Sequence, residues 1–203
     1  MNQVVDLRAF SRAARLPNFV LVDVQEEYPA PSWALDVPDA PDALVNCRLA
    51  LAHARSMEMP VAYTRWAGAR LFGARRRCSG PIKGFEPHGP DSIFERKQPS
   101  CYASPHFAEV IANNGGTFIM VGFAGEAACL ATAIEAFHRG HRVTYLSDAS
   151  ASHGFADMPS NAVHDFVCRL IGQWGSVMKT ESWIRATSYT GEREIKQILG
   201  GRT

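Results

Sequence analysis

The stretch MVGFAGEAACLATAIEAF, residues 120–137, decides the fold of this chain. It starts as an apolar run typical of a buried strand and passes through small residues at 122–128. It then places apolar side chains at helical spacing, at Leu130, Ala133 and Phe137. Small residues at such a turn let backbone N–H groups face a ligand, and a helix start favours negative charge. The stretch therefore predicts a strand and a helix joined by a turn that can hold an oxyanion.

Other apolar runs, rich in β-branched residues and bounded by turn residues, predict further buried strands. The predicted strands are Phe19–Val22, Val61–Trp66, Thr117–Phe123, Val143–Leu146 and Ser176–Thr180. Helical spacing recurs between them, over 44–54 and 163–174. Because alternating strands and helices favour parallel strands with crossover helices, we expect one α/β domain over residues 1–203. Its predicted architecture is a three-layer α/β/α sandwich with a mainly parallel, Rossmann-like sheet and sites at the carboxyl ends of the strands.

Composition narrows the class of partner. The chain has 203 residues, 46% of them apolar, and its 21 basic and 20 acidic residues leave a formal charge of +1. Such a balance provides no field for nucleic acid or an anionic membrane, so the expected partner is a small molecule or another protein. Five cysteines without a CxxC pair favour reduced thiols. Residues 1–15 carry several charges and lack the apolar core of a signal peptide, which predicts a cytoplasmic protein.

The stretch Gly68–Pro99 follows neither the strand nor the helix period. It contains Gly, Pro and the Arg75–Arg77 run, so a long surface loop is predicted. Loops of this length in compact domains often act as lids or partner surfaces. We expect it to meet a second subunit, with the arginines solvated, at that contact, or binding a carboxylate group of the substrate.

Two charged residues next to predicted elements are candidates for acid–base chemistry. Asp23 ends the first strand in LVDVQ, and Gln25 follows two residues later. Such a carboxylate either caps the next turn or, in an apolar crevice, acts as general acid or base. Lys97 lies in ERKQPSCY, before a Pro that stops regular structure. Its neighbours Glu95 and Arg96 are interpreted as solvated charges.

In chain order these motifs resemble the isochorismatase-like hydrolase superfamily. The resemblance rests on Asp-x-Gln after strand one, Lys before Pro-Ser-x-aromatic, and Gly-Phe-Ala-x-Glu-x-x-Cys-x-x-Thr-Ala, followed by Gly140 and Ser-Asp-Ala. It covers about residues 19–184, nearly the whole domain. Asp23 resembles the catalytic Asp of the family, and Lys97 resembles its catalytic Lys.

The resemblance also suggests the walls of the site. Phe123 and Ala124 match a pair near the oxyanion site that is commonly joined by a cis peptide in this family. Gln25 is a candidate for orienting Asp23 or the substrate. Trp66 and Tyr102 lie at the edges of motifs, where each side chain belongs either to the pocket wall or to the core.

The nucleophile position departs from the cysteine hydrolases of the superfamily. Counting from Gly122, and back from Thr132, the position that holds their Cys is occupied by Ala128, and Cys129 follows one residue later. One residue turns a helical side chain by about 100°, so Cys129 is expected to point elsewhere. Three explanations stay open. The protein natively lacks the thiol, as true isochorismatases do; a Cys-to-Ala change was introduced; or a shifted helix start lets Cys129 serve.

The resemblance implies a hydrolase of a small metabolite without a cofactor, in a homodimer or higher homo-oligomer. His138, His141 and His153 do not form the Asp-x-His arrangement of nicotinamidases, so no metal is expected. Without a thiol, Asp23 with Lys97 supports acid–base hydrolysis, as of the vinyl ether in isochorismate. With a thiol, an amide or related C–N bond is hydrolysed through a thioacyl intermediate. A binding module without catalysis is the third alternative.

Overall fold

A six-stranded parallel sheet forms the centre of the protein. The computed structural model describes residues 16–29, 37–67, 70–71, 74–75 and 80–188. The sheet strands are β1 Asn18–Val22, β2 Val61–Trp66, β5 Ser92–Arg96, β6 Thr117–Gly122, β7 Arg142–Ser150 and β8 Ser176–Met178. Their order is β5-β2-β1-β6-β7-β8, and all neighbours run parallel. Two short strands, β3 Arg70–Leu71 and β4 Ala74–Arg75, pair antiparallel outside this sheet.

The central strands are buried on both faces. In β1, Phe19 and Leu21 belong to one apolar cluster, whereas Val20 and Val22 belong to another on the opposite side. This alternation follows from the two-residue period of a strand. A parallel sheet covered on both faces needs such continuous apolar strands, which explains why the sequence shows runs and not polar alternation.

Helices cover the two faces of the sheet. They are α1 Ala40–Ser56, α2 Pro105–Asn113, α3 Leu130–His138, α4 Ser160–Ile171 and α5 over residues 180–188. The clusters place α1 and α5 on the face of Phe19 and Leu21, and α2, α3 and α4 on the face of Val20 and Val22. The predicted three-layer α/β/α sandwich is thus confirmed. Within the described residues, no helix combines the length and the apolar character needed to cross a membrane.

The loop predicted over Gly68–Pro99 is wrong in two respects, because the stretch also contains the short antiparallel pair of β3 and β4. Its last part contains β5, which pairs with β2 from Ala62 to Trp66. Only Ile93 and Phe94 of this edge strand are apolar, and Ile93 is exposed, so the run is too short to stand out in the sequence. The side chains of Arg75–Arg77, Cys78 and residues 1–15 lie outside the described part of the chain.

Candidate active site

The carboxyl ends of four neighbouring strands meet around a small buried cavity. Asp23 follows β1, Trp66 ends β2, Arg96 ends β5, and the turn from Phe123 follows β6. The cavity has a volume of about 40 Å³. Its wall consists of Asp23, Tyr28, Trp66, Arg96, Pro99, Ala124, Ala127 and Ala128. That volume suits a water molecule or the reacting end of a substrate and not a whole metabolite, since ligand pockets measure about 300–1,000 Å³.

Asp23 and Arg96 form a buried ion pair at this cavity. Arg96 Nη2 lies 2.5 Å from Asp23 Oδ2, and each side chain is only 1% exposed. Arg96 Nη1 donates to the Gln98 carbonyl at 2.8 Å, and its guanidinium lies over the Trp66 ring, 5.4 Å from the centroid. Burial alone would lower the pKa of Arg96, but Asp23 opposes it and the pKa is raised. The guanidinium therefore stays charged and stabilises the carboxylate form of Asp23.

The structure brings Arg96, and not Lys97, to Asp23. The expectation that Arg96 is a solvated charge is wrong, because Arg96 is 3% exposed. Strand alternation explains the placement: Phe94 and Arg96 face inward from β5, and Glu95 between them is exposed. Lys97 is exposed just beyond the strand. It lines an adjoining cavity of about 370 Å³, which also has Arg96 in its wall.

The turn after β6 forms the opposite wall. The Phe123–Ala124 peptide is cis. Gly122 precedes it with φ of +113°, and a Cβ at this position would lie 2.0 Å from the Val22 carbonyl oxygen. Only glycine allows β1 and β6 to approach so closely at this point. The Phe123 ring is buried and stacks on Tyr28, whereas Ala124 contributes to the cavity wall.

Ala128 and Cys129, at and just after the nucleophile position, have different surroundings. A π-helical turn, Gly125–Cys129, leads into α3 and places Ala128 on the cavity wall. Both Ala128 and Cys129 belong to the apolar cluster beneath α3, but only Ala128 also lines the cavity, and the Cys129 Sγ lies 3.8 Å from the Gly122 carbonyl oxygen. Burial, together with Cys101 and Asp23, raises the pKa of the Cys129 thiol well above its usual range. Burial thus keeps the thiol protonated, and Cys129 is not among the residues that line the cavity.

Of the other predicted site residues, Trp66 lines the cavity, whereas Gln25 and Tyr102 do not. Trp66 lines the cavity, as one of its two interpretations required. Gln25 instead accepts the Trp66 backbone N–H with its Oε1 at 3.2 Å and so ties the ends of β1 and β2 together. Tyr102 is absent from the residues that line the cavity; its hydroxyl pairs with His141 Nδ1 at 2.8 Å within the packing of α2.

Three side chains near the cavity were not singled out from the sequence as site residues. Tyr28 is buried against Phe123, with its hydroxyl 3.5 Å from Asp23 Oδ2. Glu126 binds His153 twice, through Nδ1 at 2.7 Å and through the backbone N–H at 3.2 Å. For Tyr28 the available signal was its position five residues after Asp23. Nothing local in the sequence links Glu126 with His153, because a loop far along the chain brings them together.

Comparisons with known proteins agree with this architecture. The family model for the isochorismatase domain matches residues 17–181, and the chain therefore belongs to this family of hydrolases. Similar solved structures include a cysteine hydrolase from Pseudomonas syringae pv. phaseolicola, with 22% identity, a TM-score of 0.75, and coverage of 85% of this chain and 92% of that one. No curated protein matches the chain by sequence.

Two other similar structures carry more specific names. An isochorismatase from Pseudomonas putida is 22% identical, with a TM-score of 0.72 over 87% of this chain and 96% of that one. The N-carbamoylsarcosine amidase of Thermoplasma acidophilum is also 22% identical, with a TM-score of 0.66 over 81% and 96% of the two chains. At this level of identity the similarity shows a common fold.

Proposed function

We propose that this protein hydrolyses a small metabolite by acid–base chemistry at Asp23, without a covalent thiol intermediate. The observation that carries the proposal is that Ala128 lines the same cavity as Asp23, whereas Cys129 is fully buried and is not among the residues that line it. Asp23 therefore acts on water or substrate directly. The reaction needs one water, whose oxygen adds to the substrate as its proton moves to Asp23.

The ion pair keeps Asp23 as a carboxylate, the form that can accept a proton, although the same stabilisation makes it a weaker base. Arg96 stabilises the carboxylate, so the resting form of Asp23 accepts a proton more readily than it donates one. A vinyl ether must be protonated on carbon first, which this resting form does not favour. An electrophilic carbon, as in an amide, urea or ester, is attacked by water in the first step. The proton taken up by Asp23 then passes to the leaving group, which restores the carboxylate.

The missing side chain at position 128 makes room for that water. A cavity of about 40 Å³ bounded by Asp23, Arg96 and Ala128 holds a water-sized group in contact with the base. The body of the substrate then lies outside this cavity, where the adjoining cavity of about 370 Å³ offers space. We assign to Arg96 the role of the positive charge next to the base Asp23. Lys97, which the family resemblance marks as the catalytic lysine, is assigned to contact with the outer part of the substrate.

The first test is turnover by purified protein, with isochorismate, nicotinamide and N-carbamoylsarcosine as probes and product detection by mass spectrometry. On the substrate that turns over, Asp23→Asn should lower kcat by about 10²–10⁴-fold, the usual contribution of a general base. Cys129→Ala should keep kcat within a few-fold. Full activity of Asp23→Asn, or loss of activity in a folded Cys129→Ala variant, would refute the proposal.

The second test restores sulfur at the cavity. If water occupies the space beside Ala128, Ala128→Cys should slow turnover because the sulfur displaces it. The alternative of a lost or replaced nucleophile predicts the opposite, a gain of amide hydrolysis that iodoacetamide abolishes. Absence of turnover in both versions with all three probes counts for the binding module and against our proposal.

A further inference from the structure

We propose that Tyr28 is a further catalytic residue, whose hydroxyl donates a hydrogen bond to the oxygen that becomes negative when water attacks the substrate. This inference rests on the proposed function. Tyr28 lines the cavity together with Asp23, Arg96 and Ala128. Among the lining residues in the described part of the chain, it is the one that carries a hydroxyl.

The present partner of this hydroxyl holds it weakly. Tyr28 Oη lies 3.5 Å from Asp23 Oδ2, the long limit of a hydrogen bond. The same Oδ2 already accepts from Arg96 Nη2 at 2.5 Å. Because Arg96 satisfies that oxygen, the phenol loses little when it turns to a substrate oxygen in the cavity. Catalytic hydrogen bonds are often long before the substrate binds and shorten in the complex.

Arg96, another strong donor of the wall, has both terminal nitrogens engaged, and its buried Nε has no hydrogen-bond partner among the described residues. The two terminal nitrogens of Arg96 donate to Asp23 and to the Gln98 carbonyl. Ala128 contributes only a methyl group to the wall, and a methyl group cannot donate a hydrogen bond to an oxyanion. A developing oxyanion in this cavity therefore meets the Tyr28 hydroxyl as a donor that can turn towards it.

The ring of Tyr28 is held so that its hydroxyl has a defined position. It stacks on Phe123 with 5.6 Å between centroids and contacts the His153 ring at 6.2 Å. Glu126 fixes His153 through two contacts. Burial raises the pKa of Tyr28 well above its usual range, with a further rise from Asp23, so the hydroxyl keeps its proton. It donates a hydrogen bond throughout, and no proton leaves it in the reaction.

The test is Tyr28→Phe, which removes the hydroxyl and keeps the ring that packs on Phe123. Loss of one oxyanion donor typically costs about 10²–10³-fold in kcat, and we expect about 100-fold with KM changed by less than a few-fold. The matched control is Tyr63→Phe, which removes a hydroxyl bonded to Arg55 on β2, outside this cavity. It should keep kcat within two-fold or so.

Fluorotyrosines at position 28 separate a catalytic from a structural role. Fluorine lowers the pKa of the phenol and strengthens its hydrogen bond at almost constant size. If Tyr28 donates to a developing oxyanion, kcat should rise with each step of fluorination at a pH where the phenol stays protonated. A kcat independent of fluorination, or a Tyr28→Phe variant with full kcat, would overturn the inference. If Asp23→Asn loses activity in the same assay, the proposed function survives that outcome; if it does not, both fail.

Discussion

Arg96 and Asp23 form their ion pair across β2, because the sheet order places β2 between β5, which carries Arg96, and β1, which precedes Asp23. Residues 73 positions apart thus share one buried contact. The two side chains meet just beyond the carboxyl end of β2, the strand that lies between β5 and β1. The pair consequently holds the end of the edge strand β5 to the centre of the sheet.

The pair makes a strong prediction for stability. Arg96→Met removes the cation that pairs with the buried Asp23 carboxylate, so the free energy of unfolding should fall by about 3–5 kcal/mol. Asp23→Asn in the same chain should recover a large part of that loss. Urea denaturation followed by circular dichroism measures both effects. Lys97→Met is the matched control: it removes an exposed cation and should change stability by less than about 0.5 kcal/mol. A small effect of Arg96→Met would contradict the buried pairing.

Thiol accessibility provides a second prediction. In a Cys78→Ser background, iodoacetamide at pH 7 should leave Cys47, Cys101 and Cys129 unmodified, because all three are buried and burial raises the pKa of each thiol. Cys168 is partly exposed, with a pKa raised to about 11, so it should react slowly. Intact-mass spectrometry before and after denaturation counts the labels. Rapid labelling of Cys129 in the folded protein would contradict its position in the core.

Alkaline pH should destabilise the fold through the same thiols. The pKa of the Cys129 thiol is higher in the folded than in the unfolded protein. The protonated thiol therefore contributes its full stabilisation of the fold below the unfolded pKa near 9, and this stabilisation is lost as the pH rises towards the folded pKa. Each pH unit in that window costs about 1.4 kcal/mol per buried thiol. Thermal unfolding between pH 8 and 10.5 should therefore show a falling Tm, with a shallower slope in Cys129→Ala. An unchanged slope would show that Cys129 ionises equally in both states.

The close approach of β1 and β6 is tested by Gly122→Ala. The new methyl group would meet the Val22 carbonyl at 2.0 Å, so we expect insoluble protein or a loss of more than about 3 kcal/mol. Gly140→Ala is the control, because Gly140 also has positive φ, but a methyl group added there would find open space within 4 Å in the described part of the chain. Its expected cost is the backbone term alone, about 1–2 kcal/mol. Equal effects of the two substitutions in urea denaturation would rule out the clash.

Sequence patterns predicted the layers because buried parallel strands must be apolar without interruption. β1 and β6 are apolar apart from their first residues, β2 is apolar over Val61–Tyr63, and each of the three strands was found within one residue of its expected bounds. The edge strand β5 escaped because only one of its faces is covered, which leaves Glu95 and Ile93 exposed. With β5 recognised, alternation from Phe94 would have pointed to Arg96 as the inward cation.

The site was partly accessible to the same reasoning. Asp23 and Ala128 could be located by counting along motifs, since each lies directly at a strand end or helix start. Tyr28 and the Glu126 contact with His153 could not, because their positions depend on how segments far apart in the chain pack against one another. Local sequence carries no record of such contacts.

The backbone of Asp23 has φ of +47°, in the left-handed region where asparagine and aspartate are tolerated better than other side chains. Replacement by alanine would mix the loss of the carboxylate with a conformational penalty of about 1 kcal/mol or more. Asparagine keeps the preference for this geometry and removes the charge, and with it the ion pair to Arg96. The backbone preference and the carboxylate can therefore be varied separately at this one position, although both substitutions also break the ion pair with Arg96.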